Sequence, residues 1–413
     1  MTIRLLDKTC LIWIYDGSLD SAMDSATWLR TVEELRNSGW QKTILLAAGP
    51  SGCRLVHGVE VFCIERPDIY FLRQAMFHIR VVQFVLQRWD QTDIILFHEI
   101  SAPWILPLRL FRFFKRRHQP ILVMDTRSLP MPHPQNEKWK DEVRRYAYNI
   151  FVWLGNHYAD GRLAITQRMA DAIHIPKDKL WGTWPSGAAE EHFSNVRVTR
   201  QWPSGKEAVQ LVYHGSMHHE RNLLVLCQAV AQAKIAGMSF ELTLVGDGTQ
   251  RKELEAFAAH SDAPIHVLAP VSYQAIPEIL AEAHVGVLPF PDEEKFRVSS
   301  PIKLFEYMAA GLPVLATRVV CHTDVVGAGE FVFWAEDSDE QGLLDAMRMI
   351  WAGRDLLSKM GQNAFFASAA WTWKVSAEKL RNALESGLQK RGAFLRFESS
   401  NPADPTTAEQ TGD

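Results

Sequence analysis

Residues 298–317, VSSPIKLFEYMAAGLPVLAT, combine a predicted helix start with a carboxylate further along the same helix. Small hydroxyl residues, Ser299 and Ser300, precede Pro301, a pattern typical of the first turn of a helix. The free amide groups and dipole of such a start bind phosphate, so we expect a seat for a diphosphate. Glu306 lies about two turns on, where its carboxylate can accept hydrogen bonds from a ribose diol. An ordinary capped helix with a surface glutamate has the same pattern, so the choice between a nucleotide site and a plain helix depends on the neighbouring segments.

Three neighbouring segments place glycine or proline at the ends of predicted strands. LVYHG ends at Gly215, and Arg221 follows six residues later, within reach of a bound phosphate. LVGDG places Gly246 at a second strand end, and HVGVLPF ends a third strand at Pro289. These segments favour a nucleotide site over a plain helix, because glycine turns at strand ends let the backbone approach a ligand.

Short strands rich in β-branched residues alternate with helical patterns along both halves of the 413-residue chain. This alternation predicts an α/β fold with parallel sheets and helices on both faces. The length exceeds one ordinary core, so we expect two Rossmann-like domains facing a cleft. The sequence predicts a first domain at 1–185, a linker at 186–208, a second domain at 209–388, and a disordered tail at 389–413.

The order and spacing of the second-half motifs resemble the donor domain of family 4 retaining glycosyltransferases, which have the GT-B fold. The resemblance covers nearly the whole second half. It implies transfer of a hexose-type sugar from a nucleotide diphosphate sugar to a glycan or lipid-linked acceptor, with retention, as in polysaccharide biosynthesis. It also implies that no cofactor or metal is required, and no Asp-x-Asp metal motif stands at a predicted strand end.

The same resemblance assigns roles to individual residues. Arg221 would neutralise the donor diphosphate and Glu306 would bind the ribose hydroxyls. Together with His98, these two residues form the predicted catalytic set. The predicted donor-binding set is Gly17, Gly215, Arg221, Gly246, Ser299, Ser300, Pro301, Ile302, Lys303 and Glu306.

Two positions depart from the family pattern. Val298 stands where many members carry a glutamate that contacts the transferred sugar, and Ser216 stands where a basic residue often follows the glycine. Lys303 is expected to supply some of the missing polarity. The missing carboxylate keeps two alternatives open, a nucleotide-sugar epimerase and a non-catalytic nucleotide-sugar-binding module. An epimerase needs acid and base carboxylates close to the sugar, and the sequence has no obvious pair there.

The first half offers acceptor-side candidates at three strand ends. Gly17 follows the first strand and resembles the family's N-terminal loop, although a plain strand end has the same pattern. His98 ends the strand DIILFH and matches the family's histidine near the transferred sugar; a structural histidine is the alternative. Asp125 and Arg127 follow the next strand, where they orient an acceptor or pair with each other.

A predicted helix from Pro103 to Arg117 is both strongly aromatic and strongly basic. Such a composition is typical of a helix that lies on an anionic membrane surface. The alternative is a core helix with a solvated basic face. The expected membrane contact, at 104–117, uses a cationic stripe of Arg109, Arg112, Lys115, Arg116 and Arg117.

The overall composition sets the remaining expectations. The formal net charge of -4 provides no general attraction for nucleic acid. Five scattered cysteines without a CxxC pair indicate a reducing compartment and no structural zinc site. The sequence has no secretory signal and no apolar run long enough to cross a bilayer, so we expect a cytoplasmic protein, peripheral on the inner face of the membrane. Neither the donor base nor the oligomeric state follows from the sequence.

Overall fold

The computed structural model describes residues 9–390, apart from 20–21, 57, 68, 116–117 and 131–137. The first sheet contains β1 Cys10–Ser18, β2 Lys42–Ala48, β3 Gly52–Val56, β4 Val59–Ile64, β5 Ile94–His98, β6 Ile121–Thr126, β7 Gly161–Ala164 and β8 Leu180–Thr183. The second contains β9 Val209–Ser216, β10 Phe240–Asp247, β11 Ile265–Leu268, β12 Val285–Leu288, β13 Val314–Thr317 and β14 Val332–Ala335.

Helices connect these strands in βα order. Those of the first half are α1 Ala22–Asn37, α2 Tyr70–Gln87, α3 Ala102–Ile105, α4 Leu108–Phe111, α5 Lys138–Tyr158 and α6 Gln167–Ala172. Those that follow are α7 Val196–Thr199, α8 Leu223–Ile235, α9 Arg251–His260, α10 Ile276–Glu282, α11 Glu294–Arg297, α12 Ile302–Ala309, α13 Val320–Val326, α14 Glu340–Ala352, α15 Leu357–Ser368 and α16 Trp373–Lys390.

Both sheets have a doubly wound topology. The first has the strand order β3-β4-β2-β1-β5-β6-β7-β8, and the second has β11-β10-β9-β12-β13-β14. All pairings are parallel except the β3–β4 hairpin, which the sequence analysis missed. The strand order reverses between β1 and β5 and again between β9 and β12. A crevice forms at each reversal, outside the carboxyl ends of the strands, and ligands of open α/β sheets bind there.

The last helix, α16, belongs by packing to the first domain. Its Leu380 and Leu384 are fully buried in one apolar cluster with Trp13 and Trp184 of the first half. The predicted bounds of the second domain, 209–388, include this helix, whose pattern was compatible with packing on either domain; it packs on the first. The chain therefore returns to the first domain after completing the second, and the part of the predicted tail after residue 390 lies outside the described residues.

The linker is ordered on the second domain rather than free between the two. Phe193 lies in the hydrophobic core of the second domain, and α7 follows it. Arg200 is buried and donates to the carbonyl oxygens of Ala310 and Gly311 at 2.9 and 2.8 Å. Because these carbonyls end α12, the linker caps the helix whose start was predicted to bind phosphate.

The predicted single helix from Pro103 to Arg117 is wrong. Two short helices, α3 and α4, occupy it, and Pro107 separates them because proline lacks an amide hydrogen and cannot continue the ladder. The described cations of the predicted stripe already have protein partners. Arg109 donates to the Tyr158 carbonyl oxygen, Arg112 binds the buried Asp160, and Lys115 pairs with Asp90. Arg116 and Arg117 lie outside the described residues.

Within the described part of the chain, no helix combines the length and the apolar character needed to cross a membrane.

Candidate functional site

A cavity of about 210 Å³ lies between the two domains, at the crevice beside β9 and β12. It brings together six of the predicted donor-binding residues with Arg127, Ser128 and Leu129 of the first domain. These six are Arg221, Ser299, Ser300, Pro301, Ile302 and Lys303. The remaining members of the predicted set, and His98, do not line this cavity.

Lys303 lies across the carboxyl end of β9, and Gly215 makes room for it. A Cβ atom on Gly215 would stand 2.3 Å from Cε of Lys303, and Gly215 has a φ of +127°. A Cβ atom on Gly246 would stand 1.8 Å from the Gly215 carbonyl oxygen, and its φ is +151°. Any side chain at either position would therefore clash, which explains the predicted glycines in physical terms. Gly215 leaves the space that Lys303 fills, whereas Gly246 lets β10 approach the backbone of β9 at Gly215.

Lys303 and Glu306 carry opposite charges on the same helix; Glu306 is buried, and Lys303 is half-buried where it lines the cavity. Burial lowers the pKa of Lys303, and the positive charge of Arg221 lowers it further. Burial raises the pKa of Glu306, while the charge of Lys303 opposes that shift. Both pKa values are displaced towards neutrality, because removing these charges from water costs more than their mutual attraction returns. A bound anion would favour the protonated lysine.

The carboxylate of Glu306 has two further polar neighbours. The Tyr273 hydroxyl donates a hydrogen bond to it. Nε2 of His214 lies 3.3 Å from one carboxylate oxygen. Burial lowers the pKa of His214 to about 3, so the ring is neutral and the contact is not an ion pair. Glu306 is thus available as an acceptor for neutral hydroxyl groups.

Arg221 is held rigidly at the edge of the cavity. The next residue, Asn222, adopts the left-handed conformation and donates to the Pro289 carbonyl oxygen at 3.1 Å, which fixes the turn. The guanidinium lies 5.2 and 5.3 Å from the ring centroids of Phe290 and Phe296, which stack on each other at 4.9 Å, and its Nε donates to the Ser216 hydroxyl at 3.2 Å. These contacts restrict the guanidinium and leave its terminal N–H groups able to donate to a planar or tetrahedral anion.

The start of α12 differs in detail from the sequence prediction. Pro301 is the N-cap residue, and no side chain caps the helix. The predicted serine caps are wrong: the Ser299 hydroxyl donates to the Phe296 carbonyl oxygen at 2.8 Å, and the Ser300 hydroxyl accepts from the Ser186 amide at 3.0 Å. Because no side chain caps this end of the helix, its first amides can bind a ligand.

Val298 joins the two domains instead of facing a ligand. It is 4% exposed and belongs to the same apolar cluster as Ile165 and Met169 of the first domain. Its carbonyl oxygen accepts a hydrogen bond from the Thr166 hydroxyl at 2.7 Å. The position where many family members carry a carboxylate is therefore a contact between domains in this chain.

The acceptor-side candidates of the first domain have different environments. Asp125 is fully buried, accepts from the Trp184 indole at 3.1 Å and lies 3.8 Å from Arg127, so the two residues pair and Asp125 does not face an acceptor. Arg127 lines the cavity, and burial lowers its pKa to about 10. His98 packs edge-on against Trp28 at 4.8 Å. No described residue hydrogen-bonds its Nε2, and burial lowers its pKa, so it is a neutral group at the end of β5.

The loop after β1 is shaped by local contacts. A Cβ atom on Gly17 would stand 2.2 Å from the Tyr15 hydroxyl, so a side chain there would displace the Tyr15 ring. The Asp16 carbonyl oxygen accepts from Arg66. These contacts fix the loop, and a role for Gly17 in donor binding stays a prediction.

Sequence reasoning missed several side chains of the site. Phe290 and Phe296 hold Arg221, Tyr273 binds Glu306, and Lys295 lines the cavity beside Lys303. Phe290 directly follows the proline that marked a strand end, so its position was detectable. Nothing in the spacing indicated Tyr273, because it reaches the site from a separate turn before α10.

Comparison with known proteins identifies the second domain. Residues 208–352 match the family described as Glycosyl transferases group 1. The match lies within the second half, and we call the matched segment the group 1 domain. No curated protein sequence matches the chain.

Solved structures extend the likeness beyond the group 1 domain to the whole fold. Sucrose-phosphate synthase from Thermosynechococcus elongatus has a TM-score of 0.69 at 16% identity, over 94% of this chain and 100% of its own. HepE from Anabaena, in complex with UDP-glucose, has a TM-score of 0.66 at 16% identity, over 91% of this chain and 99% of its own. WaaG, a glycosyltransferase involved in lipopolysaccharide biosynthesis, has a TM-score of 0.64 at 16% identity, over 90% of this chain and 98% of its own. The predicted GT-B fold, with a group 1 domain within its second half, is confirmed.

Placing a carboxylate at position 298 tests the contact between the first domain and the group 1 domain. We expect Val298→Glu to lower the melting temperature and to increase the radius of gyration in X-ray scattering, because an unpaired buried charge costs several kcal/mol unless the domains separate. Val198→Glu, at an exposed position of α7, is the matched control. Scattering and melting curves unchanged by Val298→Glu would show that the contact does not hold the domains together.

Proposed function

We propose that this protein transfers a hexosyl group from a nucleotide diphosphate sugar to a hydroxyl of a glycan or lipid-linked acceptor, with retention at the anomeric carbon. One observation carries the proposal: Arg221, Lys303 and the uncapped start of α12 surround a single cavity at the crevice of the group 1 domain. Two cations and free amides are the groups that bind a diphosphate.

The chemistry requires a stabilised leaving group. The bond from the anomeric carbon to the diphosphate oxygen breaks, a bond to the acceptor oxygen forms, and the acceptor proton leaves with the diphosphate or to water. Arg221 and Lys303 offset the negative charge that develops on the diphosphate. Glu306 accepts hydrogen bonds from the ribose hydroxyls, and neutral His98 lies on the first-domain side, near the transferred sugar. These roles follow the family resemblance, and independence from metal is part of the same proposal.

The comparisons favour a uridine diphosphate sugar as the first donor to test. HepE was solved with UDP-glucose, with UDP, and with UDP and glucose. Incubation with UDP-, GDP- and ADP-sugars, followed by separation of nucleotides and sugars, tests the reaction class. Release of free nucleotide supports a transferase, and interconversion of the sugar supports an epimerase. Binding without turnover supports a non-catalytic module, the alternative that Val298 favours by occupying the place of a carboxylate.

The proposed location is the cytoplasmic face of a membrane. All five cysteines are free, which fits a reducing compartment. An apolar face of the first domain, which we call the aromatic face, contains exposed residues of α5 and of the turns around α4. Its members are Leu110, Phe113, Phe114, Trp139, Val143, Tyr146, Ile150 and Trp153.

Charge supports an anionic bilayer as the occupant of the aromatic face. Residues 104–158 contain ten Lys and Arg but four Asp and Glu, whereas the chain as a whole carries -4. Two of the ten, Arg112 and Arg127, pair with the buried Asp160 and Asp125 and contribute little charge to the face, so eight basic residues remain. Tryptophan and tyrosine beside excess basic residues are typical of surfaces that insert shallowly into anionic lipid. The membrane contact proposed from 104–117 is thereby extended to α5 and depends more on aromatic side chains than on the cationic stripe.

The affinity for UDP-glucose is expected to have a bell-shaped dependence on pH. As the pH increases through the pKa of Glu306, which burial raises, the carboxyl group loses its proton. The carboxylate then accepts hydrogen bonds from the ribose hydroxyls, so the affinity increases. Raising the pH further, through the lowered pKa of Lys303, removes the cation that binds the diphosphate, so affinity falls. Both limbs should lie between 4.5 and 10.5, the ordinary values of the two groups. Calorimetric titrations across this range measure the profile.

Two variants assign the limbs of that profile. Glu306→Gln should remove the acid limb and Lys303→Met the alkaline limb, each at the cost of about 1.5–3 kcal/mol in binding, the value of a hydrogen bond to a charged group. UDP-glucose is used because its diphosphate does not titrate in this range. A profile that is flat, or that neither substitution changes, would contradict the proposed roles of these residues.

Binding to vesicles tests the aromatic face. We expect Phe113→Ser with Phe114→Ser to reduce the fraction of protein that sediments with phosphatidylcholine–phosphatidylglycerol vesicles about tenfold or more, since each buried Phe contributes about 1.5–3 kcal/mol. The control is Phe366→Ser, because Phe366 and Phe113 are both 74% exposed and Phe366 lies on α15. If the variant with both Phe113→Ser and Phe114→Ser sediments as the unsubstituted protein does, the membrane proposal is contradicted.

A further inference from the structure

A second and larger cavity continues directly from the one beside Arg221. It has a volume of about 920 Å³ and lies between α5, the segment after α6, and α11 of the second domain. Leu129 and Lys295 line both cavities. We call this second cavity the α5 groove. A sugar attached to a diphosphate at Arg221 and Lys303 would therefore lie next to one end of the groove.

The α5 groove is lined by both polar and aromatic side chains. Carboxylates, amides and imidazoles contribute one part of it, namely Asp141, Glu142, Asn149, Asn156, His157, His174, Glu293 and Glu294. Tyr148 and Trp153 contribute ring surface, and the Trp153 ring lies 4.4 Å from that of His157. Sugar hydroxyls both donate and accept hydrogen bonds, and the C–H faces of a pyranose ring pack on aromatic rings.

A third cavity on α5 has a different set of lining residues. It has about 950 Å³, lies between α3, α4 and the end of α5, and borders the aromatic face. Leu106, Leu110, Phe113 and Leu154 line it, and no carboxylate of the described residues does, whereas four carboxylates and two amides line the α5 groove. The groove therefore offers more hydrogen-bonding groups to a glycan, and the third cavity is the better fit for an acyl or isoprenyl chain.

We propose that the α5 groove binds the glycan part of the acceptor and delivers its terminal hydroxyl to the donor cavity. This inference rests on the proposed glycosyl transfer and adds the acceptor class and its site. The groove volume lies within the roughly 300–1,000 Å³ of small-molecule sites.

Lys295 marks the end of the groove at which transfer occurs. Its ammonium lies 2.6 Å from a carboxylate oxygen of Glu293, and its side chain is nearly buried. The pair presents a donor and an acceptor beside Ser299 and Lys303 of the donor cavity. A terminal hydroxyl bound there would lie between the two substrates' sites, and Lys295 acts as a positioning residue for it.

Trp153→Ala tests the groove, and Trp139→Ala is the matched control. Both tryptophans are exposed residues of α5, at 49% and 66%, but only Trp153 lines the groove. The probe is an array of immobilised oligosaccharides with hexose, N-acetylhexosamine and uronic acid termini, read with and without UDP. We expect the full chain to bind at least one oligosaccharide, and Trp153→Ala to weaken that binding about tenfold, as for truncation of an aromatic anchor. Trp139→Ala should bind as the unsubstituted protein does.

A second substitution and a separate readout keep the result unambiguous. Glu294→Gln, at an exposed position of the groove, should weaken the same signal, and all three variants should keep the thermal shift that UDP produces. The groove proposal is overturned if the full chain binds no oligosaccharide, or if Trp153→Ala and Trp139→Ala behave alike. Loss of the UDP shift in the unsubstituted protein would instead contradict the proposed function, while the array still decides whether the groove binds glycans.

Discussion

The site depends on the position of the Lys303 ammonium, which lies over Gly215 at the end of β9 and lines the cavity. Partial removal from water disfavours this cation, and the Glu306 carboxylate and the Tyr213 ring, whose centroid is 5.8 Å from the ammonium, offset part of that cost. An anionic ligand would relieve this unfavourable state, so the free protein is arranged for a diphosphate before one arrives. Preorganised charge of this kind is effective in catalysis because no reorganisation accompanies the reaction.

Several distant features serve that arrangement. Gly215 of β9 leaves the space that Lys303 fills, and Arg200 of the linker caps the far end of α12. Val298 brings the first domain against the loop that precedes the helix, and the return of α16 ties the chain to that domain a second time. These contacts hold the two domains next to the cavity, and a bound donor that displaced water from it would strengthen the electrostatic interactions inside.

The fold and the donor motif could be predicted from the sequence because both depend on local patterns. The βα alternation follows from side-chain periodicity, and the strand-end glycines follow from a backbone that tolerates no Cβ atom. The predicted helix at 103–117 was wrong because the periodicity of its apolar residues hid the effect of Pro107. The serine caps were wrong because both hydroxyls found partners in other segments, which no sequence spacing records.

The parts that escaped prediction depend on contacts between distant segments. Asp125 was expected either to orient an acceptor or to pair with Arg127, and it is buried against Trp184 and Arg127. Tyr273 reaches Glu306 from another turn, and the α5 groove exists only because α11 of one domain faces α5 of the other. Val298 is a further case, since no pattern in the sequence indicated that it packs against the first domain.

The structure of the complex with UDP tests the central claim most directly. The account predicts phosphate oxygens within about 3 Å of the guanidinium of Arg221, the ammonium of Lys303 and the first amides of α12, with the ribose on Glu306. A nucleotide bound elsewhere on the chain, or bound in the cleft with Arg221 and Lys303 directed away from its phosphates, would contradict it.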